Sequence, residues 1–255
     1  MTLLQALVLG IVEGLTEFLP ISSTGHLILA AKLLGLAQTE FQKSFEIVIQ
    51  LGAILAVVVL YWRSFLRPKV LAKVIAAFIP TGIIGLALYH LVKTYLLGNE
   101  MVVLAALALG GLVLILFELW HREPAGAVGE VDSVTYLQAI GIGLFQALAI
   151  IPGVSRSGAT IVGGLAMGLT RETIVEFSFL LAVPTMLAAT GLDLIKNASS
   201  FSVAQSGALA VGFIASFIVA MASIKFLLAF VRTRTFIPFG IYRLVAAALF
   251  FLWLE

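Results

Sequence analysis

The sequence predicts an all-α polytopic membrane protein: six transmembrane helices plus two re-entrant helical hairpins in an inverted-topology repeat. Three observations predict it. Of 255 residues, 62% are hydrophobic and only 11% charged, against about 45–50% and about 25% in soluble domains. Apolar runs recur along the whole chain, and at about 20 residues each can cross a hydrocarbon core of roughly 30 Å. Two further apolar stretches are each interrupted by a short Pro/Ser/Gly segment, and the two are alike. So few charges cannot coat a water-soluble globule, which excludes a soluble enzyme, a nucleic-acid binder and a disordered chain. The chain has 0 cysteines, which removes disulfides, thiol catalysis and thiolate metal sites. Its apolar start, MTLLQALVLGIVEG, lacks a basic n-region and a small-residue cleavage site and reads as mature protein.

In chain order, the first element is a hairpin over 3–35, broken at Pro20-Ile21-Ser22-Ser23-Thr24-Gly25. Proline removes a backbone donor and Ser/Thr favour an N-cap, so the break ends one helix and starts another. The pieces are too short to span and suit a re-entrant hairpin. Spans at about 43–62, 74–93 and 101–120 follow, bounded by charges or turn residues. A second hairpin covers 135–169, broken at Pro152-Gly153-Val154-Ser155-Arg156-Ser157-Gly158, and spans at about 174–195, 207–228 and 236–254 complete the chain. Pro20 and Pro152, Ser23 and Ser155, and Phe45 and Phe177 are each 132 residues apart, and Phe78-Ile79-Pro80 recurs as Phe236-Ile237-Pro238. The single membrane domain 1–255 thus divides into a first repeat, 1–120, and a second, 135–255. Each holds a hairpin and three spans, and an odd number of spans inserts the second half upside down. Broken backbone at membrane depth survives only where protein or a water-filled cavity satisfies it, so the breaks mark the site.

Glu13 and Glu17 lie one turn apart on one face of an apolar helix. A like-charged pair there needs a cation, a shared proton or a basic partner, unless it merely lines a water-filled vestibule. Ser22, Ser23 and Thr24 precede Gly25 and His26. One hydroxyl suffices as a cap, and the helix start suits an anion such as phosphate. His26, within one turn of the hydroxyls, could serve one of them as base or acid. His90 and His121 read as structural. Arg156 is costly in a hairpin unless an anion meets it, and its planar fork matches phosphate oxygens, with Ser155, Ser157 and Thr160 around it. The structural alternative is an ion pair from Arg156 to Glu13 or Glu17 across the repeats. Gly10/Gly14 and Gly164/Gly168 suit close helix packing. Glu46, Gln50 and Glu176 sit near span ends and rank below the hairpins, although Gln50 could line the pocket.

Glu13-Gly-Leu-Thr-Glu17-Phe-Leu-Pro-Ile-Ser22-Ser23-Thr24-Gly-His26 and Pro152-Gly-Val-Ser155-Arg156-Ser157-Gly-Ala-Thr160 resemble the two signature motifs of the bacterial undecaprenyl-diphosphate phosphatase family, the bacitracin-resistance type. The resemblance covers essentially the whole chain. It implies an inner-membrane hydrolase that converts undecaprenyl diphosphate to undecaprenyl phosphate and inorganic phosphate. That recycles the lipid carrier for peptidoglycan and cell-wall synthesis and confers bacitracin resistance. It also implies a divalent cation, Mg²⁺ or Ca²⁺, and a site facing the periplasm. Residues and resemblance together make Glu13 and Glu17 the metal ligands. Arg156 grips the terminal phosphoryl, with Ser22, Thr24, Ser155, Ser157 and Thr160 as further substrate contacts. Ser23 is the candidate nucleophile with His26 as its base; a water activated through His26 or Glu17 would use the same residues. Membrane lipids are the other partners, and a homodimer is left open. The rival reading is a secondary transporter or lipid-carrier flippase, since inverted repeats with broken helices are a transporter signature.

Basic residues set the orientation. Arg63, Arg67, Lys69 and Lys73 follow the first span, His121-Arg122 the third, and Arg232 and Arg234 the fifth, whereas loops 94–100 and 196–206 carry little positive charge. The positive-inside rule places 63–73, 121–134 and 229–235 in the cytoplasm and both termini outside. In intact cells, an impermeant thiol reagent should therefore label Ala198→Cys and spare Lys69→Cys. The opposite pattern would reverse the orientation.

Overall fold

The computed structural model describes residues 1–37, 39–96, 99–197 and 205–254. The loop expected at 196–206 falls largely outside these residues. The first half builds α1 (Leu3–Thr16), α2 (Ser23–Leu33), α3 (Glu40–Phe65), α4 (Pro68–Leu91) and α5 (Glu100–Trp120). The second builds α6 (Tyr136–Ala147), α7 (Arg156–Ala166), α8 (Arg171–Asn197), α9 (Ser206–Val231) and α10 (Ile237–Leu254). Among the described residues the only β pairing is an isolated bridge, Val128 to Leu169. The all-helical membrane architecture is thus as expected. Five helices, α3, α4, α5, α8 and α9, are long and apolar enough to cross a membrane, while α10 falls with α1 and α6 among the shorter apolar helices.

The two hairpins share their local devices. At the start of α1 the Thr2 hydroxyl accepts from Gln5 N–H while Gln5 Oε1 accepts from Thr2 N–H, and Thr135 with Gln138 repeats this capping box at α6. Gln5 Nε2 then donates to Leu34 O at 3.2 Å, and Gln138 Nε2 to Met167 O at 3.0 Å, fastening the two arms of each hairpin. α2 and α7 end alike. Gly35 and Gly168 take φ of 65° and 83°, and Leu36 and Leu169 N–H bond back to Ala31 O and Gly164 O, a Schellman close that favours glycine.

Two details of the expected repeat need correction. The hairpins superpose at an offset of 133, not 132: α2 begins at Ser23 and α7 at Arg156, and the residues before them, Ser22 and Ser155, share φ of 70° and 73°. Ser22, not Ser23, is therefore the counterpart of Ser155, and Arg156 is the counterpart of Ser23. Backbone strain decides this, because a positive φ outside glycine is costly and marks an over-determined position. The recurrence of Phe-Ile-Pro is not a structural equivalence either. Pro80 lies inside α4, whereas Pro238 lies in the first turn of α10. Phe45 and Phe177 do sit on the third helix of each half, both fully buried.

The halves interlock. α1 packs along α9 and α6 along α4, with α5 against α10 and α3 against both α8 and α9. Small residues make this possible: a Cβ on Gly10 would lie 2.5 Å from Gly212 O, and one on Gly14 would lie 2.6 Å from Ser216 O. Ser223 Oγ adds a bond to Leu15 O across the same α1–α9 contact. Gly14→Val should thus lower the melting temperature in detergent, by about 1–3 kcal/mol of overpacking. Gly126→Val, whose Cβ meets nothing within 4 Å, should leave it unchanged. Equal effects from the two would show that the α1–α9 approach is not tight.

Candidate active site

The residues expected at the site come together where the breaks of the two hairpins meet. α1 ends one turn before its break, leaving Glu13 and Glu17 buried at 0% and 8% exposure. Ser23 Oγ donates to Glu17 Oε2 at 2.5 Å, and Arg156 Nη2 reaches Glu17 Oε1 at 3.0 Å. Glu17 therefore holds the hydroxyl of one hairpin with one oxygen and the guanidinium of the other with its second. Arg156 also donates from Nη1 to Ser178 O at 2.9 Å and lies over the Phe18 ring. Its Nε is buried without a hydrogen-bond partner, so one N–H of the fork is not committed to the protein.

The neighbouring hydroxyls divide by role. Ser155 Oγ caps α7 by accepting from Gly158 N–H at 3.2 Å, and it lies 3.1 Å from Ser157 Oγ. Ser157 Oγ donates to Leu19 O at 2.8 Å, tying the second break to the first. Thr160 Oγ1 pairs with Ser178 Oγ at 2.6 Å, behind Arg156. Ser22 makes no side-chain cap on α2, and Thr24 is exposed. The N-terminal turn of α2 thus presents backbone N–H groups with no side-chain acceptor, an arrangement suited to an anion.

His26 is placed otherwise than its spacing suggested. Nδ1 lies 2.8 Å from Ser22 O, so it carries the proton and donates; Nε2, 2.7 Å from the Tyr242 hydroxyl, accepts in the neutral ring. The two rings stack. Both nitrogens are engaged away from Ser23, whose proton already points at Glu17. The group that accepts from the Ser23 hydroxyl is thus the Glu17 carboxylate and not the imidazole.

Glu13 is the odd member. Neither carboxylate oxygen has a hydrogen-bond partner, and the charged groups acting on it are Glu17, Glu46 and Arg156. Among the described residues no group of three His, Cys, Asp or Glu side chains forms a ready-made metal cage. A fully buried carboxylate with two orphaned oxygens beside a second carboxylate nonetheless fits a hard divalent cation, whose preferred ligands are such oxygens. Its repeat counterpart, Gln146, is neutral and donates to Thr81 and Thr185 at 2.9 and 3.0 Å.

Three site neighbours escaped sequence reasoning: Ser178, Tyr242 and Arg243. A hydroxyl and a phenol in apolar spans carry little signal. Arg243 carried a strong one, a lone guanidinium in the last apolar run.

The fold and the site define a multi-pass helical membrane protein whose two broken hairpins join a serine, a carboxylate pair and an arginine. The model of the bacitracin resistance protein BacA family matches residues 6–249, and the chain belongs to that family. It is 54% identical over 253 residues to a protein of Sulfurihydrogenibium sp. named undecaprenyl-diphosphatase, covering 99% of this chain and 100% of the relative. It is 53% identical over 257 residues to one of Aquifex aeolicus with the same name, covering 99% and 100%. A third, from Wolinella succinogenes, is 50% identical over 256 residues, covering 100% and 99%.

The ion pair makes a prediction about stability alone. Glu17→Gln leaves the Arg156 guanidinium buried without a counter-charge and should destabilise by about 3 kcal/mol. Glu13→Gln removes an unpaired carboxylate and should raise the melting temperature or leave it unchanged. Thermal melts of the two variants in one detergent decide this, and a higher melting temperature for Glu17→Gln would contradict the pairing.

Proposed function

We propose that this chain is a membrane phosphatase that hydrolyses undecaprenyl diphosphate to undecaprenyl phosphate and inorganic phosphate. The observation that carries this is the continuous Ser23–Glu17–Arg156 chain across the two breaks. It joins a hydroxyl nucleophile, its base and an anion clamp in one place. The names of the relatives, at about half identity over the full length, supply the substrate.

In this reading the prenyl tail stays in lipid and the diphosphate enters between the breaks. Arg156 holds the terminal phosphoryl through its fork, and the N–H groups at the start of α2 receive the remaining oxygens. Ser22, Thr24, Ser155, Ser157 and Thr160 line this region. Ser23 Oγ attacks the terminal phosphorus, its proton passes to Glu17 Oε2, and the bond to the bridging oxygen breaks to release undecaprenyl phosphate. Water then attacks the phosphoserine phosphorus, the P–Oγ bond breaks as Glu17 returns the proton to Oγ, and inorganic phosphate leaves carrying the protons of the water. His26, held by Ser22 O and Tyr242, fixes the first turn of α2 that carries Ser23. Glu13 and Glu17 would hold a divalent cation, Mg²⁺ or Ca²⁺, which when bound offsets the charge of the diphosphate and of the two carboxylates.

The same proposal includes the membrane layout: six crossings, with α10 as the sixth, and two hairpins entering from opposite faces of the inner membrane. Two sets of contacts support it. Lys32 at the open end of the first hairpin pairs with Glu100 at the start of α5. The open end of the second instead lies with the basic loops: Thr170 N–H bonds Val128 O, Arg171 pairs with Glu123, Arg67 with Asp132, and Arg232 with Glu172. With the basic end in the cytoplasm, the first hairpin opens to the outer side.

Arg156→Lys separates clamp from strut. A clamp that grips two phosphoryl oxygens in the transition state is worth ~10³-fold or more, so the variant should fold, purify and nearly lose turnover. A strut that only pairs with Glu17 would tolerate lysine within a few fold. The assay is steady-state phosphate release from a prenyl diphosphate in detergent, where no gradient exists. Wild-type turnover there also separates a phosphatase from a transporter or flippase.

A further inference from the structure

Arg243, on α10, is 1% exposed and forms no ion pair among the described residues. Its five N–H donors instead all go to backbone carbonyls. Nε donates to Leu107 O at 3.1 Å and Nη2 to Ala106 O at 3.0 Å, both on α5. Nη2 also reaches Gly153 O at 3.0 Å, and Nη1 reaches Val154 O at 3.0 Å and Pro20 O at 3.3 Å. One guanidinium therefore binds the break of the first hairpin, the break of the second and α5 together.

The carbonyls explain why a cation sits there. Pro20, Gly153 and Val154 lie where the chain leaves helical pairing, and among the described residues no backbone N–H bonds their oxygens. An orphaned carbonyl at membrane depth is expensive. Arg is the side chain that can satisfy several at once, having five donors in a fixed plane. The surroundings are cut to fit it: a Cβ on Gly110 would collide with Nη2, and one on Gly111 would lie 3.0 Å from Arg243 Cβ.

We propose that Arg243 is a positioning residue of the active site, which fixes the two breaks against each other and so sets the Ser23–Glu17–Arg156 geometry. Pro20 lies three residues from both Glu17 and Ser23, and Val154 two from Arg156. A change in the spacing of the carbonyls is a change in the spacing of the reacting groups. Lysine has one nitrogen in place of three and cannot hold both breaks and α5. Misplacement of about 1 Å costs on the order of 10²-fold in turnover. The defect should fall on kcat, because the binding groups all remain.

This inference rests on the phosphatase reading, and the test keeps the two apart. Phosphate release from a prenyl diphosphate is measured for wild type, Arg243→Lys and Gly110→Ala, with melting temperatures. Inactive wild type would sink the phosphatase reading itself. With wild type active, the expected result is kcat at least about tenfold lower in both variants with KM within about threefold, a split that plain destabilisation does not produce. Gly110→Ala should act by displacing the guanidinium, so adding it to Arg243→Lys should cost little more. Near-normal kcat in either folded variant would overturn the proposal. Failure of both variants to fold would overturn it as well, because the clamp would then belong to the fold and not to the reaction.

Discussion

Everything at the centre of this protein follows from the cost of breaking a helix inside packed protein, where the freed backbone groups must find other partners. Each hairpin is broken between its two helices, and each break leaves carbonyls and N–H groups without helical partners. The carbonyls are met by Arg243 and by the Ser157 hydroxyl, which takes Leu19 O at 2.8 Å. The N–H groups at the start of α7 are met in part by Ser155, while those at the start of α2 have no side-chain cap. The two breaks are thus not equally satisfied. The less satisfied one carries Ser23, and free N–H groups at a helix start favour an anion.

The same asymmetry runs through the repeat. At the offset of 133 the two hairpins share capping boxes, Schellman closes and a strained serine, so the scaffold is one design used twice. The chemistry is not duplicated. Glu13 corresponds to Gln146 and Ser23 to Arg156, so one half brings the serine and the carboxylates and the other brings the guanidinium. A repeated frame brings the two breaks together, and the residues that differ between the halves give their meeting point its charged and hydroxyl groups.

Much of this was legible in the sequence because it rests on short-range rules. Proline and serine in an apolar run locate the breaks, and charge in an apolar run locates Glu13, Glu17 and Arg156. What was not legible depends on contacts between distant segments. The proximity of His26 to Ser23 in sequence suggested a base, but it could not show that α10 brings the Tyr242 hydroxyl to the ring. The one-residue error in repeat register came from aligning identical letters, whereas the backbone aligns positive φ. Arg243 was visible as an intramembrane cation, but its carbonyl partners lie on three other segments.

The central claim is that Glu17 and Ser23 act as one unit, carboxylate and nucleophile. A double-mutant cycle tests it most directly, using kcat/KM for phosphate release by wild type, Glu17→Gln, Ser23→Ala and the double variant. Groups that act in one step are strongly non-additive, so the double variant should be no worse, within about threefold, than the poorer single variant. Losses that multiply would show that the two residues act independently and would contradict this account.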